Sequence, residues 1–446
     1  MKERIITVLF ACLLGMGFSG LQAQAQPVEE KKESSESQDD KKAEETFKEI
    51  YKRLDIGVRL YLDWIGRWGH DGKTFDRIPK GQPDPDGIKE KNNNEFRVQR
   101  AYIDLKYKIH DVLSARLTTD ADTVSSPTGA FHIYLKYAYV QAQKDFGPVG
   151  FTLQGGMIGT PVVGLTDSIS DYRWIAQNYL DQADSVLNGQ KLDNSADLGV
   201  STSIKIFKYV TLTGSFTNGT GYKKNENNSH KAFTYLLTIN PTKEIYLSGF
   251  GRNEITDKYD YTGKKAKRSY YGYGVAYRSN LIKVGFNHIF PYTQTVGLSR
   301  DFGVDPVGPS GQVDLYVYPL KNNGYMLLDS WLNVNLGAVL ESVPLLVTGR
   351  YVYGLQRGTY QKAITDTECG TERSTMLYAL GLGWQLNKHF RILLGGELQT
   401  YRIRKDRVLR YAEGASGSEY YGDTFYIGSR EPRDAKRVYI KTEVAF

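Results

Sequence analysis

The sequence predicts an all-β fold: a transmembrane antiparallel β-barrel of about 16 strands, with short turns at one end and long loops at the other. Three observations carry this. Segments of 9–11 residues alternate apolar and polar side chains, as tilted strands do between lipid and a polar lumen. Connection lengths alternate between short and long. The last segment alternates up to its final residue, with Val438, Ile440, Thr442, Val444 and Phe446 on one face and Lys441 and Glu443 on the other. That is the usual finish of a bacterial outer-membrane barrel.

The start of the chain agrees. Met1-Lys2-Glu3-Arg4 is positive, Ile5 to Phe18 is apolar, and Ala23-Gln24-Ala25 is a small-residue cleavage site. Residues 1–25 are therefore expected to be a secretory signal peptide. Cys12 lies inside the apolar core, which argues against a lipoprotein, and Cys369 then stands alone without an intramolecular disulfide partner.

Residues 26–52 are expected to be a charged periplasmic segment, disordered at first and then a short helix near Phe47, Ile50 and Tyr51. Within 27–52 there are nine Asp/Glu and six Lys. The remainder, 53–446, carries 49 basic and 40 acidic residues. Its basic residues are dispersed over strands and loops, which argues against nucleic acid and for anionic solutes or lipopolysaccharide as partners. Mean hydropathy is −0.45, and no run after the signal peptide approaches the ~18–20 apolar residues of a helical span. A barrel has this signature because only alternate residues face lipid. The 33 tyrosines and 45 glycines suit membrane interfaces and tight turns.

The barrel is expected to occupy 53–446, with segments near 53–68, 95–108, 111–121, 131–144, 149–159, 196–206, 209–217, 231–239, 244–254, 269–278, 281–290, 329–339, 343–354, 375–386, 389–402 and 437–446. In the first, Ile56, Val58, Leu60, Leu62 and Trp64 oppose Asp55, Gly57, Arg59, Tyr61 and Asp63. In the second, Ala101, Ile103, Leu105, Tyr107 and Ile109 oppose Arg100, Tyr102, Asp104, Lys106 and Lys108. Connections after even-numbered segments are very short, such as His110, Phe207-Lys208 and Ser279-Asn280, whereas 69–94, 160–195, 291–328 and 403–436 follow odd ones. An even count with this alternation places both termini in the periplasm. Gln312 to Leu320 alternates briefly, and Asn322-Asn323-Gly324 reads as a turn, so a hairpin within that outer loop is expected; two crossings there would raise the count to 18.

Strand parity assigns Arg59, Arg100, Lys106, Arg116, Lys136, Arg278, Arg350 and Arg391 to the lumen as pore-lining cations, with Lys205 beside them. Asp63, Asp104, Asp120, Asp197 and Glu397 share that phase. Fixed positive charge in a narrow aqueous lumen concentrates anions; alternatively, opposite charges pair across strands and stiffen the wall. The 160–195 connection is expected to be a constriction loop, with a short helix over 172–180 packing its apolar side on the inner wall. Asp167, Asp171, Arg173 and Asp181 are its candidate narrowing residues. Tyr61, Trp64, Tyr137, Tyr139, Tyr271, Tyr273, Tyr351 and Tyr353 read as an interface girdle.

Enzyme chemistry finds little support. The six histidines are scattered without an HExxH motif or cysteine partners, so no metal site and no cofactor is expected. Asp84-Pro85-Asp86-Gly87 is a proline-bounded turn in preference to a calcium loop. Gly219-Thr220-Gly221 precedes no helix and is no phosphate cradle.

Several stretches resemble the phosphate-selective porin family. They are Phe96-Arg97-Val98-Gln99-Arg100-Ala101-Tyr102-Ile103, Lys136-Tyr137-Ala138-Tyr139-Val140, Gly155-Gly156-Met157-Ile158-Gly159-Thr160-Pro161, Phe216-Thr217-Asn218-Gly219-Thr220-Gly221 and Gly381-Leu382-Gly383-Trp384-Gln385-Leu386-Asn387. The resemblance covers most of 95–446 in order. It implies a homotrimeric outer-membrane channel with a loop folded into the lumen, passing small polar or anionic solutes, phosphate among them. The 160–195 segment departs from the family's basic lining: it has Asp167, Asp171, Asp181, Asp184 and Asp193 against Arg173 and Lys191. The alternative function is a surface protein whose basic loops, Lys264, Lys265, Lys267 and Arg268 or Arg402, Arg404, Lys405, Arg407 and Arg410, bind polyanions, a host or a phage.

Overall fold

In a computed structural model, residues 48–69, 93–122, 132–176, 178–181, 192–223, 226, 229–259, 265–293, 320–340, 343–361, 368–387, 389–404 and 435–446 are described. Two units separate at Lys52. In the first, residues 48–52 are helical and Lys52 Nζ donates to the Glu49 carboxylate at 2.7 Å.

The second unit is a closed antiparallel barrel, with sixteen strands among the described residues. They are β1 (Leu54–Gly69), β2 (Asn93–His110), β3 (Leu113–Asp122), β4 (His132–Phe146), β5 (Val149–Gly159), β6 (Ala196–Ile206), β7 (Val210–Thr217), β8 (Ala232–Ile239), β9 (Ile245–Tyr259), β10 (Lys265–Arg278), β11 (Ile282–Thr293), β12 (Leu320–Asn335), β13 (Leu345–Gln361), β14 (Glu368–Asn387), β15 (Phe390–Arg404) and β16 (Ala435–Ala445). Each pairs with its sequence neighbours, and β1 closes on β16 with Leu60 opposite Val444. Phe446 completes the seam by exchanging both backbone hydrogen bonds with Val58, at 2.9 and 3.1 Å. Closure removes the unpaired strand edges that an open sheet would present.

The apolar set of each strand lies outside. Leu212, Phe216, Phe233, Leu237, Val275, Leu332, Leu380, Leu394 and Ile440 are exposed, and they alternate with buried inward residues such as Ser215, Thr217, Thr234, Thr238, Thr348 and Thr375. Large apolar side chains thus cover the outside of the barrel, while many inward positions are small and polar. No helix among the described residues is long and apolar enough to cross a membrane.

Three expectations change. Asn322-Asn323-Gly324 makes no turn: the three residues lie inside β12, where Asn323 pairs with Thr293 on one side and Gly358 on the other. Two long neighbouring strands supply hydrogen bonds that outweigh the local turn preference. Gln312 to Pro319 lie outside the described residues. The segment expected to run as strand to 339 instead tightens into a 3-10 turn over Leu336–Ala338. Parity also fails where a β-bulge intervenes, since one extra residue resets which side faces the lumen. The bulge opposite Thr118/Thr119 inserts Lys136, so Lys136 and Tyr137 are both on the lumen side. Consequently Tyr137 and Tyr139 face inward; Tyr61 faces inward by plain alternation with Arg59 and Asp63, whereas Tyr271, Tyr273, Tyr351 and Tyr353 are on outward faces.

Candidate functional site

The lumen is organised by the described parts of 160–195, residues 160–176, 178–181 and 192–195, which lie against the inner wall of the barrel. Pro161 starts helix α1 (Pro161–Ser170), where its missing N–H costs nothing. Asp171 ends it in the left-handed region (φ 52°, ψ 30°), its N–H returning to the Asp167 carbonyl. The helix therefore lies one segment earlier than the 172–180 expected from the aromatic spacing. Residues 173–176 turn, and Tyr179–Asp181 is a 3-10 turn. The proline start and the Asp171 stop fix these bounds; the aromatics that follow act as packing residues.

Those aromatics bind the segment to the wall. Val162, Val163, Tyr179, Leu180 and Leu192 form one buried cluster with Leu236, Phe250, Tyr270, Ile289, Leu327, Val352 and Leu377, the inward residues of β8 to β14. Tyr172, Trp174 and Ile175 form a second with Tyr61, Ile65, Leu346, Leu393 and Tyr439, and Tyr102 packs on it. Fully burying one such side chain contributes on the order of 1.5–3 kcal/mol, so two clusters hold the infolded position against the entropy of a free loop.

Charged contacts fix its ends. The Asp171 carboxylate accepts from Arg391 Nη1 and Nη2 at 2.9 and 3.0 Å and from Lys283 Nζ at 2.7 Å. Arg278 Nη1 donates to the Ser168 carbonyl at 2.7 Å, and Asn333 Nδ2 donates to the Ser170 carbonyl. Cations and an amide from four strands thus meet the negative end of α1. Burial pushes the Asp171 carboxyl up, but Arg391 and Lys283 outweigh it and hold the group well below the usual carboxylate range. Burial raises Asp167 instead, although Arg173 and Asn178 oppose the shift.

Arg173 lies between Asp181, at 3.1 Å, and Asp167, at 3.6 Å. Asp193, at the far end of the loop, is buried; it accepts from Arg252 Nη1 at 2.8 Å and from the Tyr270 hydroxyl at 2.5 Å. The neighbouring connection after β7 also folds inward. Asp197 accepts the N–H groups of Gly219 and Gly221 at 2.6 and 3.2 Å, and both glycines have positive φ. That geometry brings Tyr222 to the β2–β3 wall, where its hydroxyl donates to Asp120 at 2.9 Å.

The eight cations assigned to the pore all lie on inward faces, in three separate places. Arg100 donates to Asp120 at 2.7 Å, and Lys136 donates to the Tyr102 hydroxyl at 3.0 Å with Asp120 4.0 Å away. Below them Arg116 forks onto Asp104 at 2.7 and 3.0 Å, and Lys106 reaches Asp55 at 3.2 Å. Arg350 forks onto Asp329 at 2.8 and 3.0 Å beneath Tyr172 and Tyr179. Arg59, Arg278 and Arg391 gather at the short-turn end around a cavity of about 1020 Å³, whose lining includes Lys243, Lys283, Asp171, Glu244 and Glu443. Arg59 lies 3.5 Å from Glu443, which Arg391 Nε also contacts. Cross-strand pairing therefore describes most of the set.

Parity reasoning left Lys283, Arg252, Glu254 and Asp329 out of the lumen, and it placed Lys441 and Glu443 on the polar face of the last strand without naming them as pore-lining. All lie on inward phases that alternation alone could have flagged. Lys441 and Arg97 converge on Asp63 at 2.7 and 2.6 Å, tying β16 and β2 to β1. Of the basic loop clusters, Arg268 belongs to β10 and is turned onto Glu254 at 2.7 Å, while Lys267 is exposed. Lys264, Lys405, Arg407 and Arg410 lie outside the described residues, as do Asp184 and Lys191. No group of three or more potential metal ligands occurs among the described residues.

No protein-family model matches the sequence, and no curated protein matches it. Solved structures do share its fold. The chain is similar to the outer-membrane-expressed OmpT of Vibrio cholerae (10% identity, 88% of this chain and 97% of that one, TM-score 0.51). It is equally similar to the anion-selective porin from Comamonas acidovorans (11% identity, 88% and 99%, TM-score 0.51). The outer membrane channel DcaP of Acinetobacter baumannii follows (11% identity, 88% and 97%, TM-score 0.50). At these identities the likeness establishes the porin-type barrel fold.

Proposed function

We propose that this chain is a bacterial outer-membrane porin: a passive, water-filled channel for small polar solutes with a modest preference for anions. The observation that carries the reading is a loop folded into the lumen of a closed sixteen-strand barrel, held there by wall contacts and lined by charge. A barrel interior shaped in this way has one evident use, which is to narrow an aqueous path to molecular size. Flow down a gradient needs no catalytic residue and no cofactor, and the reading is non-enzymatic.

The preference for anions is modest because the described lumen pairs most of its cations with carboxylates. Arg278 contributes most to it, since its recorded partner is a carbonyl rather than a carboxylate. Phosphate is then one permeant anion among several. The outward apolar faces suit outer-membrane lipid, and exposed Lys267 at the long-loop end of β10 suits lipopolysaccharide phosphates. Short turns at the end that carries Phe446 favour a periplasmic position for both termini. The outward faces of β2 to β5 mix small residues, Ala101, Ala115, Ala138 and Gly155, with exposed Ile103, Leu117, Val140 and Leu153, an apolar surface that suits packing in a homotrimer.

Liposome swelling tests the channel reading. Proteoliposomes should swell in isotonic small sugars and sodium acetate at rates that fall steeply with solute size. Swelling no faster than that of protein-free liposomes overturns it.

A further inference from the structure

The cations at the short-turn end do more than pin a helix. Asp171 is met by Arg391 through two parallel N–H···O contacts and by Lys283 through a third. A forked guanidinium beside an ammonium is how proteins recognise a free carboxylate, so the wall here is shaped for a carboxylate and the loop supplies one. This pair is not sealed inside the protein. Asp171, Lys283 and Arg391 all line the cavity of about 1020 Å³ that opens among the short turns, where Arg59 and Arg278 also point. The Arg59 side chain is 56% exposed. A solute entering this cavity thus meets the outer surface of an occupied carboxylate site, with two further cations beside it.

We propose that Arg391 and Lys283 form a binding site for small carboxylate solutes, that Asp171 occupies it as an internal ligand, and that an incoming carboxylate displaces Asp171 and frees the turn that follows α1. The inference rests on the channel reading for its consequence, a wider lumen, but not for the site itself. Displacement exchanges one carboxylate for another on the same donors, so no charge is left buried without a partner. The turn that moves carries Trp174, which is 2% exposed and lies under Arg391 with the guanidinium carbon 4.5 Å from the ring centroid. Chloride cannot span the fork and is a poor competitor.

Trp174 supplies a readout independent of conductance. Refolded full-length protein is titrated with sodium acetate at constant ionic strength against sodium chloride, following tryptophan emission, with Trp174→Phe identifying the signal. The expected result is a saturable change with acetate that chloride does not give and Trp174→Phe lacks. In Asp171→Asn the internal competitor is removed, and the acetate midpoint should fall about tenfold or more, because the site is no longer filled for most of the time. In Arg391→Gln the response should vanish. Both variants are first shown to be folded by the mobility of the unheated barrel in gels. An equal response to chloride, no response to acetate, or a midpoint unchanged in Asp171→Asn overturns the site. If acetate moves Trp174 while bilayers stay silent, the site stands and the channel reading falls.

Discussion

The Asp171 carboxylate, on the infolded loop, receives both terminal nitrogens of Arg391, on β15, at 2.9 and 3.0 Å. These residues are 220 positions apart, and their contact joins the infolded segment to the wall at the short-turn end.

This contact has a defined pH dependence. Arg391 and Lys283 depress the folded pKa of Asp171 despite burial. A depressed carboxylate contributes its full stability above the unfolded value of about 3.9 and loses it only as pH falls through the lower folded value. Trp174 emission should therefore stay constant from about pH 7 to pH 4 and shift only in stronger acid. Asp167, raised by burial, has the opposite sign: its contribution is present below the unfolded pKa and lost as pH rises through the folded one. A Trp174 shift centred in the ordinary carboxylate range that persists in Asp167→Asn would contradict the anchor.

Asp63 supports the closure of the barrel. Its buried carboxylate takes Arg97 from β2 and Lys441 from β16. Asp63→Asn leaves Lys441 buried without its counter-ion, which typically costs about 3–5 kcal/mol. Equilibrium unfolding of the refolded barrel in urea should show a loss of this size. A change under about 1 kcal/mol would mean that water screens the cluster.

Gly219 holds the second infolded connection. At φ 94° a side chain is strained, and an added Cβ would meet the Glu254 carboxyl carbon at 3.0 Å. Gly219→Ala should cost about 1–3 kcal/mol and expose residues 218–231 to limited proteolysis. Gly155→Ala is the control: its Cβ would meet nothing within 4 Å, and digestion should be unchanged.

Much of the barrel was legible in the sequence because an apolar outside and a polar inside impose period two on every strand, and the closing strands at 53–68 and 437–446 show it most plainly. That the infolded segment packs on the inner wall was legible from its aromatics but the place of its helix was not, since Pro161 and Asp171 set the bounds while the eye follows Tyr172, Trp174 and Tyr179. The asparagines before Gly324 carry local turn preference, yet pairing with β11 and β13 overrides it. Side-chain partners were the least legible part. Lys136 and Tyr137 share a side only through a bulge, and whether Arg391 meets a solute or Asp171 depends on where a distant loop folds.

Arg278 carries the selectivity prediction. It lines the short-turn cavity and its recorded partner is the Ser168 carbonyl. Arg278→Glu should move the reversal potential in a salt gradient toward cations, because one positive charge becomes negative, a net change of two units in a confined aqueous space. Arg278→Lys should leave it nearly unmoved. Equal reversal potentials for all three proteins would remove Arg278 from the solute path.

The most direct test of the central claim is single-channel recording of the refolded full-length protein in a planar bilayer under a potassium chloride gradient. The account predicts discrete conductance steps with a reversal potential on the anion side, and larger steps when residues 162–170 are deleted. A folded barrel that inserts without conductance steps, or whose steps do not change on that deletion, would contradict it.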